Sequence, residues 1–347
     1  MKRLLLPFGW IYHLITRLRN HLYDTGYRKS FRFDGVFTIS VGNLNMGGSG
    51  KTPVTEYLIE MLKDRYRVAA LSRGYGRLTY GLRVLSDTDV AASAGDEPVQ
   101  LYRKFRGQIQ VVVSEDRSLA IPTLMNQEQQ VEVIIMDDAF QHRRVVPDLN
   151  ILLTRWSDPF YKDRMFPAGW LRESSTGAKR ADMVVFTKCP DNLPDSELNS
   201  ARENALRLSG DVPVFFTGYH YGQPTAFGLK RTINQKIILL TGIAHSDFLL
   251  NEVRKTFEVI KHFRFSDHHH YSHQEILEIS NLATNTGADV LTTEKDMVRL
   301  LSFSNTGLFL NQGWFYLPIS IRFLKSGTEF DNIILAKVES KNAELEN

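Results

Sequence analysis

Short apolar runs rich in Val, Ile, Leu and Phe recur along the chain, separated by segments of helical period. Runs at 35–39, 67–72, 109–114, 131–136, 150–153, 183–186 and 214–216 predict strands. After the first, Val54-Thr55-Glu56-Tyr57-Leu58-Ile59-Glu60-Met61-Leu62 predicts a helix, and Glu115-Asp116-Arg117 opens another. Strands alternating with helices imply a parallel, doubly wound α/β sheet. Near Gln223-Pro224 the pattern becomes turn-rich. A new unit begins at Lys236, with strands at 236–242, 257–260 and 289–291 and helices through 248–250 and after Ser272. This predicts a second, smaller α/β domain. The expected division is 1–28 for an N-terminal helix, 29–220 for the first domain, 221–233 for a linker, 234–338 for the second domain and 339–347 for a polar tail. The run at 314–321 is either the last strand of the second domain or a return to the first. A cleft between two such domains is the expected site.

The N-terminus has another pattern. The apolar stretch at 4–12 is too short to span a bilayer. Arg17 and Arg19 stand where a signal peptide would need a small-residue cleavage site. Leu14, Ile15, Leu18 and Leu22 recur at helical spacing, with Trp10 and Tyr12 nearby and basic residues between. Two readings stay open: a helix lying in a membrane interface, or an amphipathic helix packed on the protein's own core.

The densest chemical signal is Ser40-Val41-Gly42-Asn43-Leu44-Asn45-Met46-Gly47-Gly48-Ser49-Gly50-Lys51-Thr52-Pro53, between a predicted strand and a predicted helix. Strand, glycine-rich turn, Lys-Thr and helix make a P-loop. Backbone N–H groups of Asn45, Gly47, Gly48, Ser49 and Gly50 would face a phosphate chain, helped by the helix N-terminus. Lys51 would reach the terminal phosphates and the Thr52 hydroxyl would ligate Mg²⁺. Asn45 stands where the usual pattern has its first glycine, and Asn tolerates left-handed backbone angles.

Asp137-Asp138 ends the apolar run at 131–136, the placement of a carboxylate beside Mg²⁺ and the γ-phosphate. Asp96 in Gly95-Asp96-Glu97-Pro98 is a further carboxylate whose plain reading is a turn residue. Arg172 and Glu173 could hold phosphate and assist a metal, or be surface charges. Ser266-Asp267-His268-His269-His270 is the densest histidine cluster. Three consecutive histidines cannot share one face of a helix or strand, so a three-histidine metal site is geometrically poor. Asp-His in a loop suits a general base, or is a polar loop before a helix. Lys295 in Thr292-Thr293-Glu294-Lys295-Asp296 is a phosphate contact or a first-turn helix residue. Phe186-Thr187-Lys188-Cys189-Pro190-Asp191 lacks the Asn and the Asp of a guanine-reading Asn-Lys-x-Asp, which argues against a GTPase switch.

The 347 residues carry a net charge of +3, unevenly placed. Residues 1–36 hold seven Lys and Arg against Asp24 and Asp34, a net +5, which leaves about −2 for the rest. The basic pI of 8.8 thus belongs to the N-terminus, and no general nucleic-acid surface is expected. Cys189 is the one cysteine, so no intrachain disulfide is possible.

Taken together, the 41–53 segment, Ser72-Arg73-Gly74-Tyr75-Gly76, 95–98, Asp137-Asp138-Ala139-Phe140-Gln141-His142-Arg143-Arg144, 171–173, Asp267-His268-His269 and 292–296 resemble the tetraacyldisaccharide 4′-kinase family. These are membrane-associated kinases of lipid A synthesis. The resemblance spans roughly residues 35–300 in order, and the family's P-loop also lacks the first glycine. Ala139 departs from the family's usual Gly, and Ser49 from a common Thr. The resemblance implies two α/β/α domains joined by a hinge. It implies ATP·Mg²⁺-dependent phosphorylation of the 4′-hydroxyl of a tetraacyl glucosamine disaccharide 1-phosphate, giving lipid IVA. It implies Asp96 with His268 as a catalytic dyad and Lys51 on the β/γ-phosphates. Thr52, Asp137, Asp138 and Glu173 would surround Mg²⁺, and Arg117 and Arg172 would balance phosphate charge. A lipid acceptor also favours the interfacial reading of residues 1–28, on the cytoplasmic face of the inner membrane, with a monomer as the expected state.

Overall fold

The computed structural model describes residues 6–127, 130–244, 246–307, 309 and 312–346. Residues 1–5 of the predicted N-terminal segment lie outside them. The first domain runs through α1 (Leu6–Asp24), β1 (Phe37–Asn43), α2 (Lys51–Leu62), β2 (Val68–Ser72), β3 (Arg83–Val84), α3 (Ala91–Ala94), α4 (Asp96–Lys104) and β4 (Gln110–Val113). It continues with α5 (Arg117–Met125), β5 (Val133–Asp137), β6 (Leu149–Arg155), β7 (Met183–Thr187), α6 (Asp195–Ser209) and β8 (Val214–Tyr221). The second domain holds β9 (Thr225–Ala226), β10 (Lys236–Thr241), α7 (Asp247–Val253), β11 (Glu258–Arg264), α8 (His273–Thr286), β12 (Asp289–Thr293), α9 (Glu294–Leu300) and β13 (Trp314–Leu317). The chain then returns to the first domain as β14 (Ile319–Phe323) and α10 (Gly327–Glu346).

Among the described residues, nine strands form the first sheet, in the order β14-β8-β7-β6-β1-β5-β2-β4-β3, and five form the second, β11-β10-β12-β13-β9. Both are mostly parallel, with β3 and β14 antiparallel at the edges of the first and β9 at the edge of the second. This is the doubly wound α/β class expected. β1, β5, β6 and β7 are buried along their whole length, as strands covered by helices on both faces must be. Val54, Leu58, Ile59 and Leu62 of α2 pack on Ile39, Val41, Val133 and Ile135. That packing fixes the helix that starts at Lys51. On the other face a Cβ at Gly42 would meet Phe140 at 2.7 Å, so the segment after β5 lies tight against β1.

The open question at 314–321 resolves at Pro318: β13 belongs to the second sheet and β14 to the first. The return therefore comes well before residue 338. Residues 339–346, expected as a tail, are the last turns of α10, whose Phe330, Ile334 and Val338 are fully buried in the first core. The linker is also shorter than 221–233, because β8 extends to Tyr221 and β9 begins at Thr225. Two connecting segments of the chain thus pass between the domains, and Gly222 N donates to Pro318 O at 2.9 Å where they run side by side.

Candidate active site

β1 sits in the middle of the first sheet, paired with β5 so that Val41 is opposite Asp137. The P-loop and the acidic pair therefore emerge side by side at the carboxyl ends of adjacent strands. Gly50 has φ 79° and opens α2. A side chain there would be strained and would press on Tyr219 and Thr187. Lys51 Nζ lies 3.3 Å from Asn43 Oδ1 and 3.5 Å from Asp138 Oδ1. Asn45 does not use a left-handed angle. It bridges to Leu171, and its Nδ2 donates to Asp163 Oδ2 at 2.7 Å. The residue in place of glycine pins the start of the loop to the 163–171 segment. The left-handed residue at the acidic pair is Asp138 itself, with φ 47°, so Ala139 needs no special angle.

Gly48, Ser49, Gly50, Lys51 and Thr52 line a cleft of about 430 Å³ between the domains, together with Glu97, Lys188, Tyr219, Phe248 and Lys295. Arg172 Nη1 donates to both oxygens of Asp138, at 2.8 and 3.0 Å. Arg117 is buried, and its Nη2 donates to the backbone carbonyls of Asp137 and Asp138. It braces the turn from below. Burial, with Glu97 close by, pushes the Asp137 carboxyl up to about 7, whereas Lys51 and Arg172 overcome burial at Asp138 and lower it. Asp137 Oδ1 and Ser49 Oγ are buried with no hydrogen-bond partner. Orphaned oxygens beside a P-loop fit a hard cation with phosphate oxygens. Among the described residues no three His, Cys, Asp or Glu converge as a metal cage. A cation at Thr52, Asp137 and Asp138 would complete its shell with phosphate and water, as Mg²⁺ usually does.

Glu173 stands apart from that expectation. Its Oε1 accepts from Arg180 at 2.7 Å and Gln141 at 3.2 Å, and its Oε2 accepts from Asn20 of α1 at 2.6 Å. The carboxylate is committed to holding α1 and the 140–142 segment together.

Asp96 is the first residue of α4, not a turn residue. Gly95 precedes it at φ 94°, where a Cβ would meet the Tyr75 carbonyl at 3.0 Å. Asp96 Oδ2 lies 3.1 Å from His268 Nδ1, across the cleft between domains. His268, at φ 58°, presents its Nε2 to Lys295 Nζ at 3.2 Å. An ammonium can only donate, so Nε2 accepts and Nδ1 carries the hydrogen given to Asp96. His269 instead stacks on Phe265 and pairs with Glu275. Burial alone would raise the Asp96 carboxyl, but the His268 hydrogen bond and the Arg299 guanidinium hold it down at about 2.

Two cationic residues join the site that sequence reasoning did not single out. Arg299 reaches Asp96 from α9. Lys188, at the carboxyl end of β7, has φ 57° and lies over the Tyr219 ring, with its Nζ 3.7 Å from where a Gly48 Cβ would stand. A basic residue directly after an apolar strand that ends beside the P-loop was the available signal for Lys188. Nothing local marks Arg299, which is 203 residues from its partner.

A P-loop alone serves switches, pumps and kinases alike, but here a second domain brings the His268 imidazole to the Asp96 carboxylate beside the cleft. Fold and site together define a P-loop phosphotransferase. The family model described as tetraacyldisaccharide-1-P 4′-kinase matches residues 1–339. A tetraacyldisaccharide 4′-kinase of Flavobacterium johnsoniae is 39% identical, with 98% of each chain covered. One from Cytophaga hutchinsonii is 37% identical over 97% of this chain and 96% of its own. The crystal structure of LpxK from Aquifex aeolicus in complex with ATP matches with a TM-score of 0.74 at 30% identity, covering 97% of this chain and 99% of that one. The chain belongs to the tetraacyldisaccharide 4′-kinase family.

Proposed function

We propose that this protein transfers the γ-phosphoryl group of ATP to the 4′-hydroxyl of a tetraacyl glucosamine disaccharide 1-phosphate, giving lipid IVA. The observation that carries the reading is the Asp96–His268 contact between the domains, beside the P-loop cleft that the adjacent Glu97 and Asp267 line. Asp96 takes the hydroxyl proton and aims the oxygen, and His268 holds the carboxylate in place. The new bond forms between O4′ and the γ-phosphorus as the bond to the ADP oxygen breaks. Lys51 binds the β- and γ-phosphates, and Lys188 adds a cation at Gly48. Thr52, Asp137 and Asp138 would hold Mg²⁺, which would neutralise charge on the phosphates. Arg172 orients Asp138, and Arg117 fixes the backbone of the acidic turn. A carboxylate as strongly ionised as Asp96 suits a loose transition state, in which orienting the nucleophile matters more than early proton removal.

The lipid acceptor gives α1 its part. Phe8, Ile11, Leu14, Ile15 and Leu18 are all more than half exposed and recur at helical spacing, while Arg19 and Asn20 tie the other face to Gln141 and Glu173. No described helix is long and apolar enough to cross a membrane. The reading is a helix lying in the interface of the inner membrane's cytoplasmic leaflet, beside the site it serves.

The test is ATP consumption by the purified protein with and without a lipid A disaccharide 1-phosphate in detergent micelles, with product mass followed. Acceptor-dependent turnover with one phosphate gained is the expected result. Hydrolysis indifferent to the acceptor would sink the reading.

A further inference from the structure

Asp96 belongs to the first domain, and the side chain that grips it most closely comes from the second. Arg299 Nε lies 2.7 Å and Nη2 2.6 Å from Asp96 Oδ2. His268 Nδ1 reaches the same oxygen. Both partners crowd Oδ2, and Oδ1 takes no hydrogen-bond partner among the described residues. Arg299 is itself firmly aimed. Its Nη1 donates to Gly242 O at 2.9 Å and Asp296 Oδ1 at 2.8 Å. Asp296 is held in turn by Tyr271 Oη, Gly242 N and Thr293 Oγ1. Only 7% of Arg299 is exposed. A buried guanidinium fixed on one side and forked onto a single carboxylate oxygen on the other is a device for orientation as much as for charge.

We propose that Arg299 is a positioning residue for phosphoryl transfer: it clamps Oδ2 of Asp96 from the second domain, so that Oδ1 is turned to the acceptor hydroxyl only when the domains are closed. This rests on Asp96 being the group that meets the acceptor. A carboxylate free to rotate about Cβ–Cγ would spread its lone pairs over many directions, and orientation supplies much of the rate in this reaction. Closure does not hang on Arg299 alone. Lys295–Glu97 at 3.3 Å and Lys104–Glu294 at 3.3 Å join the same two helices, α4 and α9. Removing Arg299 therefore leaves the domains joined and frees the carboxylate to swing.

The experiment compares R299Q, R299K and D96N with the wild type by kcat, KM for ATP, melting temperature and the pH profile of kcat. The groups facing Asp96 are His268, Arg299 and Lys295 from the second domain and Glu97 on its own helix. R299Q is expected to lower kcat about a hundredfold while KM for ATP stays within about twofold. Its acid limb is expected to move to higher pH, because the carboxylate loses the cation that keeps it ionised. R299K keeps the charge without the fork, so its acid limb stays near wild type and kcat falls about tenfold. Wild-type kcat in R299K or R299Q would overturn the proposal. So would an R299Q loss that travels with melting temperature and ATP affinity while the acid limb stays fixed, since that describes a structural clamp. If R299Q does not fold, R299K alone decides: an about tenfold loss of kcat with melting temperature and KM for ATP unchanged supports the proposal, and wild-type kcat, or a loss that travels with melting temperature and ATP affinity, overturns it. Activity retained in D96N would overturn the underlying reading of Asp96, whereas an inactive D96N beside an unaffected R299Q would overturn only the role of Arg299.

Discussion

Asn20 of α1 donates to Oε2 of Glu173 at 2.6 Å, a bond that ties the N-terminal helix to a buried carboxylate two residues from the bridge between Leu171 and Asn45. The helix is thus fastened by its polar face, and its apolar face is left outward. Replacing Leu14 and Leu18 with Glu should weaken binding to anionic vesicles tenfold or more, on the basis of roughly 1.5 kcal/mol or more for each leucine withdrawn from water. Stability should change by only about 0.5 kcal/mol, because neither residue is packed. Vesicle flotation and a thermal melt measure the two effects. Undiminished flotation would remove α1 from the membrane reading.

Glu173 separates a structural from a metal role. Its oxygens are already taken by Arg180, Gln141 and Asn20. Glu173→Ala should cost about 1–2 kcal/mol in protein free of nucleotide and Mg²⁺, because it leaves the partly buried Arg180 guanidinium and two amides without their acceptor. Chemical denaturation without ligands reads this directly. An unchanged midpoint there, with Mg²⁺ affinity lost, would favour the metal role that the family resemblance implies.

Lys188 is a cation in the P-loop cleft with no ion-pair partner among the described residues, and burial with Arg155 nearby pushes its ammonium down to about 8. Lys188→Met should weaken ATP binding about tenfold or more, the worth of a charge-assisted contact. The shift also sets the sign of the pH effect. Between about pH 8 and pH 10 the unfolded chain keeps a proton that the folded chain has shed, so folding is increasingly favoured as pH rises through that window. The variant should lack that rise in stability. Melts from pH 7 to pH 10 and nucleotide titrations check both halves, and wild-type ATP affinity in the variant would exclude Lys188 from the site.

Asp96→Ala and His268→Ala should each lower turnover by about 10² to 10⁴, the range for a general base and its support, with nucleotide affinity nearly unchanged. His269→Ala should have a small effect on turnover, because its ring is spent on Phe265 and Glu275. Single-turnover rates beside ATP binding distinguish these outcomes. A His269 effect as large as that of His268 would reassign the dyad.

The local chemistry of this chain was legible as sequence. A strand, a glycine-rich turn and Lys51-Thr52 fix their own geometry over fourteen residues, because Gly50 must be left-handed and α2 must bury Val54, Leu58 and Ile59. The acidic pair after β5 was readable for the same reason: an apolar strand carries the residues at its end to the sheet's carboxyl edge. Partnerships that sequence neighbours do not fix were decided only by the tertiary structure. Within the run of three histidines the one local preference was that His268 directly follows Asp267; the long-range contact is His268 with Asp96, 172 residues away. Glu173, implied as a metal ligand by the family resemblance, has protein partners as well, and only the folding back of α1 supplies Asn20 among them. Arg299 carries no local mark, and only domain packing puts it on Asp96. The last strand splits at Pro318, where β13 and β14 join different sheets. Short-range periodicity and backbone sterics determine elements and the motifs between them. Which charged side chains end up as partners depends on long-range packing, where burial makes an ionised group costly unless a counterpart or hydrogen bonds meet it.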